Sequence, residues 1–162
     1  MKILIVSDTH RKMINLEQVI SMEKPIDMLI HCGDMELPDE RLRSLVNCPV
    51  AVVSGNNDYF YDYAKELIVP IGSYKAFVAH GHNYGVTLSP EYIAKEGRAR
   101  GVDFVFFGHT HVPYCEKKND VQLINPGSIS FPRQPCRVPT SAILKLDGEE
   151  YSCEIKEFET NF

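Results

Sequence analysis

Short continuous apolar runs, each stopped abruptly by glycine together with aspartate, histidine or asparagine, set the strongest limit on what this chain can fold into. The runs at 3–6, 28–32 and 50–53 are rich in β-branched residues and unbroken. A strand with one wet face alternates apolar and polar side chains, whereas a strand buried on both faces does not. Between the runs lie helical patterns. Ile14, Leu16, Val19 and Ile20 share one helical face before Pro25. A second face spans 37–46, with Pro38 and Asp39 suited to its start and Pro49 beyond its end. Strand–helix–strand–helix–strand in so short a stretch implies parallel strands joined by right-handed crossovers.

The second half has a different rhythm. Segments 66–71 and 74–79 predict strands joined by a Gly72-Ser73 turn, and Ser89 predicts the cap of a helix with Pro90 at its first position, running to about Arg100 and closed by Gly101. Further strands are expected near 103–107, 121–124, 141–146 and 151–158, the last two joined at Asp147-Gly148. A parallel first half followed by a more antiparallel second half predicts an α/β fold of two packed mixed β-sheets flanked by helices. With 162 residues and no repeat, low-complexity stretch or linker, one domain over 1–162 is expected. A chain of this length can bury roughly 70% of its unfolded surface without help from disulfides.

Composition narrows the function. The net charge of -5 argues against a long nucleic-acid partner, which selects a basic surface. Five scattered cysteines, never in a C-x-x-C pair, disfavour a disulfide framework or a thiolate zinc site and suit a cytoplasmic protein. The apolar run after Lys2 is too short for a signal-peptide core, and no stretch approaches the roughly 20 apolar residues of a membrane span.

The residues just past each strand are chemically specific. Ser7-Asp8-Thr9-His10 comes after the first, His31-Cys32-Gly33-Asp34 closes the second, and Ser54-Gly55-Asn56-Asn57-Asp58 comes after the third. His80-Gly81-His82 lies after 74–79, and Gly108-His109-Thr110-His111 after 103–107. In open α/β sheets ligands collect at the carboxyl ends of strands, so these segments are expected on one rim. Carboxylate and imidazole donors without thiolate suit manganese, iron or zinc. Gly33, Gly55, Gly81 and Gly108 stand where the chain is expected to turn sharply. Asp-x-His and His-x-His in extended backbone would aim alternate side chains the same way.

In their order and spacing these motifs resemble the calcineurin-like metallophosphoesterase superfamily, and within it the small YfcE-like phosphodiesterases, from residue 2 to about 158. The resemblance implies two divalent metal ions, Mn2+ first, with Ni2+, Fe2+ and Zn2+ as alternatives. One would be held by Asp8, His10, Asp34 and His111, the other by Asp34, Asn56, His80 and His109, with Asp34 shared. It implies in-line attack on phosphorus by a hydroxide bridging ions about 3.5–4 Å apart, and no covalent role for Ser7 or Cys32. The implied substrate is a small or nucleotide-like phosphodiester. The alternatives are a phosphomonoester, or a non-catalytic scaffold of the retromer-subunit type, whose donor set is depleted. Absence of a basic cluster disfavours a nuclease, and absence of long insertions disfavours a phosphoprotein phosphatase. Small members of the family are often dimers or larger, so a homo-oligomer is open.

One departure bears on mechanism. Many members carry histidine where this chain has Asn57, and asparagine has no titratable proton to give a leaving group. Asn57, His82 and Asp58 are therefore the candidate catalytic residues: His82 as a substitute acid, Asp58 as the carboxylate orienting a ligand such as His10. His31 reads as a supporting or core histidine. Asn125-Pro126-Gly127-Ser128 resembles a loop that the family places beside the site, Arg133 could meet a phosphate, and Tyr59, Tyr61, Tyr63 and Tyr84 could form an aromatic wall or a dimer patch.

Overall fold

The computed structural model describes residues 1–159, so the last three positions of the expected domain lie outside the described residues. The unbroken apolar runs become β1 (Lys2–Val6), β2 (Met28–His31) and β3 (Val50–Val52), parallel neighbours in register Leu4–Leu29 and Ile30–Ala51. Helix α1 (Met13–Glu23) and helix α2 (Asp39–Ser44) make the crossovers. The antiparallel strands β9 (Thr140–Asp147) and β10 (Glu150–Glu157) extend this sheet beyond β1, giving the order β10-β9-β1-β2-β3. The second sheet runs β4-β5-β6-β8-β7, from β4 (Glu66–Ile71), β5 (Tyr74–Ala79), β6 (Phe104–Phe106), β7 (Tyr114–Lys118) and β8 (Val121–Asn125). Helix α3 (Glu91–Ala99) joins β5 to β6, again between parallel strands.

Packing follows from burial of both sheet faces. Ile3, Ile5 and Leu144 of the first sheet meet Val78, Phe104 and Ile124 of the second in a shared apolar layer. Leu4, Val6 and Leu29 on the opposite face receive Leu16, Val19 and Ile20 of α1 and Leu42 of α2. Phe77, Val105 and Leu123 receive Ile93 and Ala94 of α3. The result is two mixed five-stranded sheets packed face to face with helices outside, as the patterning predicts.

Several local details differ from expectation. Ile14 is 56% exposed, and Met13 is buried in its place, because a face through Met13, Leu16 and Ile20 fits the α-helical turn better than one through Ile14. Ser89 accepts a hydrogen bond from the Glu91 N–H at 3.2 Å, but Pro90 precedes the first helical residue instead of occupying it. The β9–β10 turn is Gly148-Glu149, since Asp147 still pairs with Glu150. Strand β7 has no counterpart among the expected strands. Its sequence, Tyr-Cys-Glu-Lys-Lys, is that of a charged edge strand. Asn119 and Asp120 turn it into β8 with φ of 50° and 64°, the left-handed pair that a two-residue hairpin requires.

Candidate metal centre

All five motif segments leave the carboxyl ends of β1, β2, β3, β5 and β6, and loop-to-loop hydrogen bonds draw them to one rim. Beyond the strands, Asp8 N–H donates to Gly33 O and His10 N–H to Asp34 O, each at 3.0 Å. Gly108 N–H likewise donates to His80 O at 3.0 Å. Three side chains brace these loops. The carboxylate of Asp58 accepts three backbone N–H groups, from Asp34 and Gly55 at 2.8 Å and from Glu36 at 2.7 Å. Asn125 donates to Gly108 O at 2.9 Å, and Ser128 Oγ donates to Asp8 O at 2.8 Å. The Asn125–Ser128 loop therefore supports the backbone of the first and fifth segments.

Within this frame, Asp8, His10 and His111 bring donor atoms together, and so do Asp8, Asp34 and His80. His111 Nε2 stands 3.1 Å from Asp8 Oδ1 and 3.3 Å from His10 Nε2. His80 Nε2 lies 3.4 Å from Asp34 Oδ2 and 3.9 Å from Asp8 Oδ1, while His10 Nε2 lies 3.9 Å from that same Asp34 oxygen. Asp34 and Asp8 thus both sit between the two imidazole sets, and Asp8 is common to both donor groups. His109 adds a ring whose centroid is 5.2 Å from that of His80, and its backbone N–H donates to Asp8 Oδ2 at 3.2 Å. Asn56 is half-buried, with its Oδ1 fully covered.

The tautomers of three histidines follow from their outer partners. Nδ1 of His80 faces Cys32 O at 2.7 Å, Nδ1 of His111 faces Phe131 O at 2.7 Å, and Nδ1 of His10 faces Glu36 Oε1 at 2.6 Å. A carbonyl or carboxylate oxygen can only accept, so each Nδ1 carries its hydrogen and each neutral ring keeps its Nε2 lone pair for the interior of the cluster. Metal-ligating histidines are oriented in this way. Asp8 Oδ1, Asn56 Oδ1 and His80 Nε2 are buried without a properly directed hydrogen bond, an expensive state for groups that nothing else satisfies. The donor set fits divalent cations.

Electrostatics point the same way. Burial would raise the Asp8 carboxyl, but His111 and His80 outweigh it and hold the group below its ordinary range. Asp34 is likewise depressed against burial, by His80 and by two hydrogen bonds from Asn57, backbone N–H at 2.8 Å and Nδ2 at 2.6 Å. Burial pushes His80 down, yet its contacts with Asp34 and Asp8 raise it overall. Burial and then the neighbouring charge of His80 lower both His82 and His109.

The backbone departs from the sequence expectation. The paired residues are not in extended segments: Asp8, His10, Asp34, His109 and His111 all take left-handed φ, between 45° and 69°. Such positions are uncommon for residues with a Cβ and cluster at functional sites. Gly55 and Gly108 serve through close approach. A Cβ on Gly55 would lie 2.0 Å from Asp34 Oδ1, and one on Gly108 would lie 1.9 Å from Ser7 Oγ.

Other candidates take roles set by their partners. Glu36, and not Asp58, is the carboxylate on His10, because Asp58 is spent on backbone amides; sequence offers no signal for this beyond Glu36 standing two residues after Asp34. His31 accepts Gly33 N–H on Nδ1 at 3.1 Å and faces Thr9 Oγ1 with Nε2 at 2.7 Å, so both nitrogens are used within the fold. Burial pushes it down to about 4. The His82 ring lies 5.5 Å from that of His80, beside a cavity that Asn56, Tyr59, Tyr61 and Tyr63 also line. Tyr61 and Tyr63 stack at 5.7 Å and donate to Glu36 O and Leu37 O, whereas Tyr84 hydrogen-bonds Glu66 away from that cavity.

Residues 1–149 match the family model of the calcineurin-like phosphoesterase superfamily domain. The chain belongs to this superfamily. Among its relatives in that superfamily, it is 37% identical over 150 residues to the probable metallophosphoesterase YsnB of Bacillus subtilis, covering 92% of this chain and 86% of that protein. It is 32% identical over 168 residues to the phosphodiesterase MJ0936 of Methanocaldococcus jannaschii, covering 93% and 96%. A crystal structure of a predicted phosphoesterase from Streptococcus pneumoniae TIGR4 superposes with a TM-score of 0.84 at 28% identity, over 96% of this chain and 88% of that one. Superfamily membership and relatives named as phosphoesterases support a hydrolase, and the donor cluster lies inside the matched segment. Among the described residues no helix is long and apolar enough to cross a membrane.

Proposed function

We propose that this protein is a dinuclear, divalent-metal-dependent phosphodiesterase acting on small or nucleotide-like phosphodiesters. The observation that carries the reading is the set of three imidazoles whose Nδ1–H groups are spent on oxygen acceptors, leaving Nε2 lone pairs against Asp8 and Asp34. Asp8, His10, Asp34 and His111 would hold one ion; Asp34, Asn56, His80 and His109 would hold the other. Two such ions, manganese first and nickel, iron or zinc as alternatives, would lower the pKa of water toward neutrality and offset charge on the phosphoryl oxygens. The name of the 32%-identical archaeal relative favours a diester over a monoester.

The chain's own groups fix the geometry and the fate of protons. Glu36, Cys32 O and Phe131 O lock the imidazole orientations. Asn57 holds both oxygens of Asp34, a positioning role consistent with its lack of a titratable proton. His82, with its covered Nδ1 and its place beside Asn56, is the candidate proton donor to the leaving oxygen; because burial and the charge of His80 lower it, only its minor protonated form would serve near neutral pH. General acid catalysis contributes about 10²–10⁴-fold, and it matters most for poor leaving groups. His82→Ala should therefore slow an alkyl diester at least about tenfold more than a nitrophenyl diester; equal rates with both substrates before and after the substitution would eliminate His82 as the acid.

The direct test is nitrophenol release from bis-(4-nitrophenyl) phosphate by manganese-reconstituted protein. Turnover is expected to stop with chelator, return with manganese, and fall on the order of 10²-fold in His109→Ala. Turnover indifferent to metal removal would refute the reading.

A further inference from the structure

We infer that the cavity beside His10 and His111 is a second anion subsite, and that the substrate is a phosphodiester carrying an additional phosphate. This rests on the phosphodiesterase reading above and names its substrate class. The cavity measures about 610 Å³, with His10 and His111 on one side, Phe131 and Pro132 as an apolar wall, and Arg133 and Arg137 beyond them. That volume is of the order of small-molecule sites, roughly 300–1,000 Å³, and leaves room for more than a reacting phosphoryl group.

The arginines are the telling feature. Of the seven in the chain, Arg11, Arg41, Arg43, Arg98 and Arg100 each have a carboxylate within 3.8 Å. Arg133 and Arg137 have no carboxylate partner among the described residues, and both line this one cavity. Among the described residues no acidic side chain lines it, in a chain with 22 acidic and 17 basic residues. Glu36, on the far nitrogen of His10, is already engaged by that ring at 2.6 Å and by Arg11 Nε at 3.1 Å. Lys12, whose ammonium lies 4.3 Å from the Phe131 ring centroid, adds a third cation nearby.

The guanidiniums are carried by a braced turn. Arg133 N–H donates to His111 O at 3.0 Å, and Phe131 O accepts His111 Nδ1–H at 2.7 Å, so the turn is tied to a candidate metal ligand from both sides. Arg137 N–H donates to Gln134 O at 3.0 Å, and the buried Gln134 amide donates to Val138 O. Pro132 and Pro135 stiffen the segment further. Two exposed planar forks carried on a backbone tied to the metal centre suit a tetrahedral dianion, which guanidinium recognises through paired hydrogen bonds. Phe131, 45% exposed, offers apolar surface to whatever joins the two phosphates. A phosphorylated dinucleotide has this layout.

The test compares diadenylate with and without a 5′-phosphate on manganese-reconstituted protein. The wild type should prefer the phosphorylated dinucleotide by about tenfold or more in kcat/KM, mainly through KM, as charge-assisted hydrogen bonds of this kind provide. In R133A/R137A the ratio should collapse toward one, while R133K/R137K, which keeps charge but loses the fork, should retain part of it. Equal rates on the two dinucleotides, a preference that survives loss of both guanidiniums, or cleavage of bis-(4-nitrophenyl) phosphate alone would each overturn the subsite and leave the phosphodiesterase reading standing. Failure to cleave any diester would overturn both.

Discussion

Replacing Asp34 with alanine is expected to cut diester hydrolysis about 10³-fold or more and to lower metal uptake with it. Asp34 stands between both imidazole sets, as Asp8 does: one Asp34 oxygen lies 3.4 Å from His80 Nε2 and 3.9 Å from His10 Nε2, and Asp8 Oδ1 lies 3.1 Å from His111 Nε2 and 3.9 Å from His80 Nε2. Its loss also leaves Asn57 without the acceptor of its backbone N–H and of its side-chain amide. The effect should appear in kcat at saturating manganese and in bound metal per chain, with the protein still folded by circular dichroism. Asp34→Asn keeps one oxygen but turns the other into a donor facing Asn57, so it should rescue little. Retention of more than about a tenth of the wild-type rate by Asp34→Ala would show that this carboxylate does not serve as the shared ligand.

Asp58→Asn is expected to be the most damaging conservative substitution around the site although Asp58 itself supplies no atom to the cluster. Its two oxygens accept three backbone N–H groups, and the residue is 3% exposed. An amide has one oxygen, so at least one of these donors must be left facing an NH2 group. Hydrogen bonds to a charged acceptor are worth about 1.5–3 kcal/mol, and a buried donor left unpaired costs about 1–3 kcal/mol. A loss of about 2–4 kcal/mol is expected, or roughly 5–15 °C in the thermal midpoint for a chain of this size. Because two of the donors belong to Asp34 and Gly55, the same change should misplace Asp34 and Asn56 and lower kcat. A midpoint within about 2 °C of wild type would mean that the three hydrogen bonds contribute little.

Much of the fold and of the centre is legible in the sequence, for physical reasons. Strands buried on both faces must be continuously apolar, so β1, β2 and β3 stand out, and polar residues placed directly after them have to emerge on one rim. That logic brings the five motif segments to one rim; the choice of Asp8, His10, Asp34, Asn56, His80, His109 and His111 within them comes from the resemblance to the superfamily. Neither reaches partners set by long-range geometry. Glu36 on His10, the carbonyls of Cys32 and Phe131 on two other imidazoles, and the three amides on Asp58 leave no local pattern. Strand β7 is hidden because a charged edge strand carries no apolar alternation to read. The left-handed backbone of the donors themselves is hidden too, since Asp and His are tolerated rather than required there. Arg133 is legible in the sequence as a residue that could meet a phosphate, but pairing it with Arg137 needs the turn through Gln134.

Seven side chains from five loops must bind cations as a unit if the protein is the enzyme proposed. Calorimetric titration of metal-free protein with manganese, followed by elemental analysis after desalting, tests this most directly. The proposed dinuclear reading predicts two ions per chain for the wild type and a marked loss in Asp34→Ala. Heat and metal content indistinguishable from a buffer blank would contradict it, and would leave the rim as a surface for partners instead of a centre for hydrolysis.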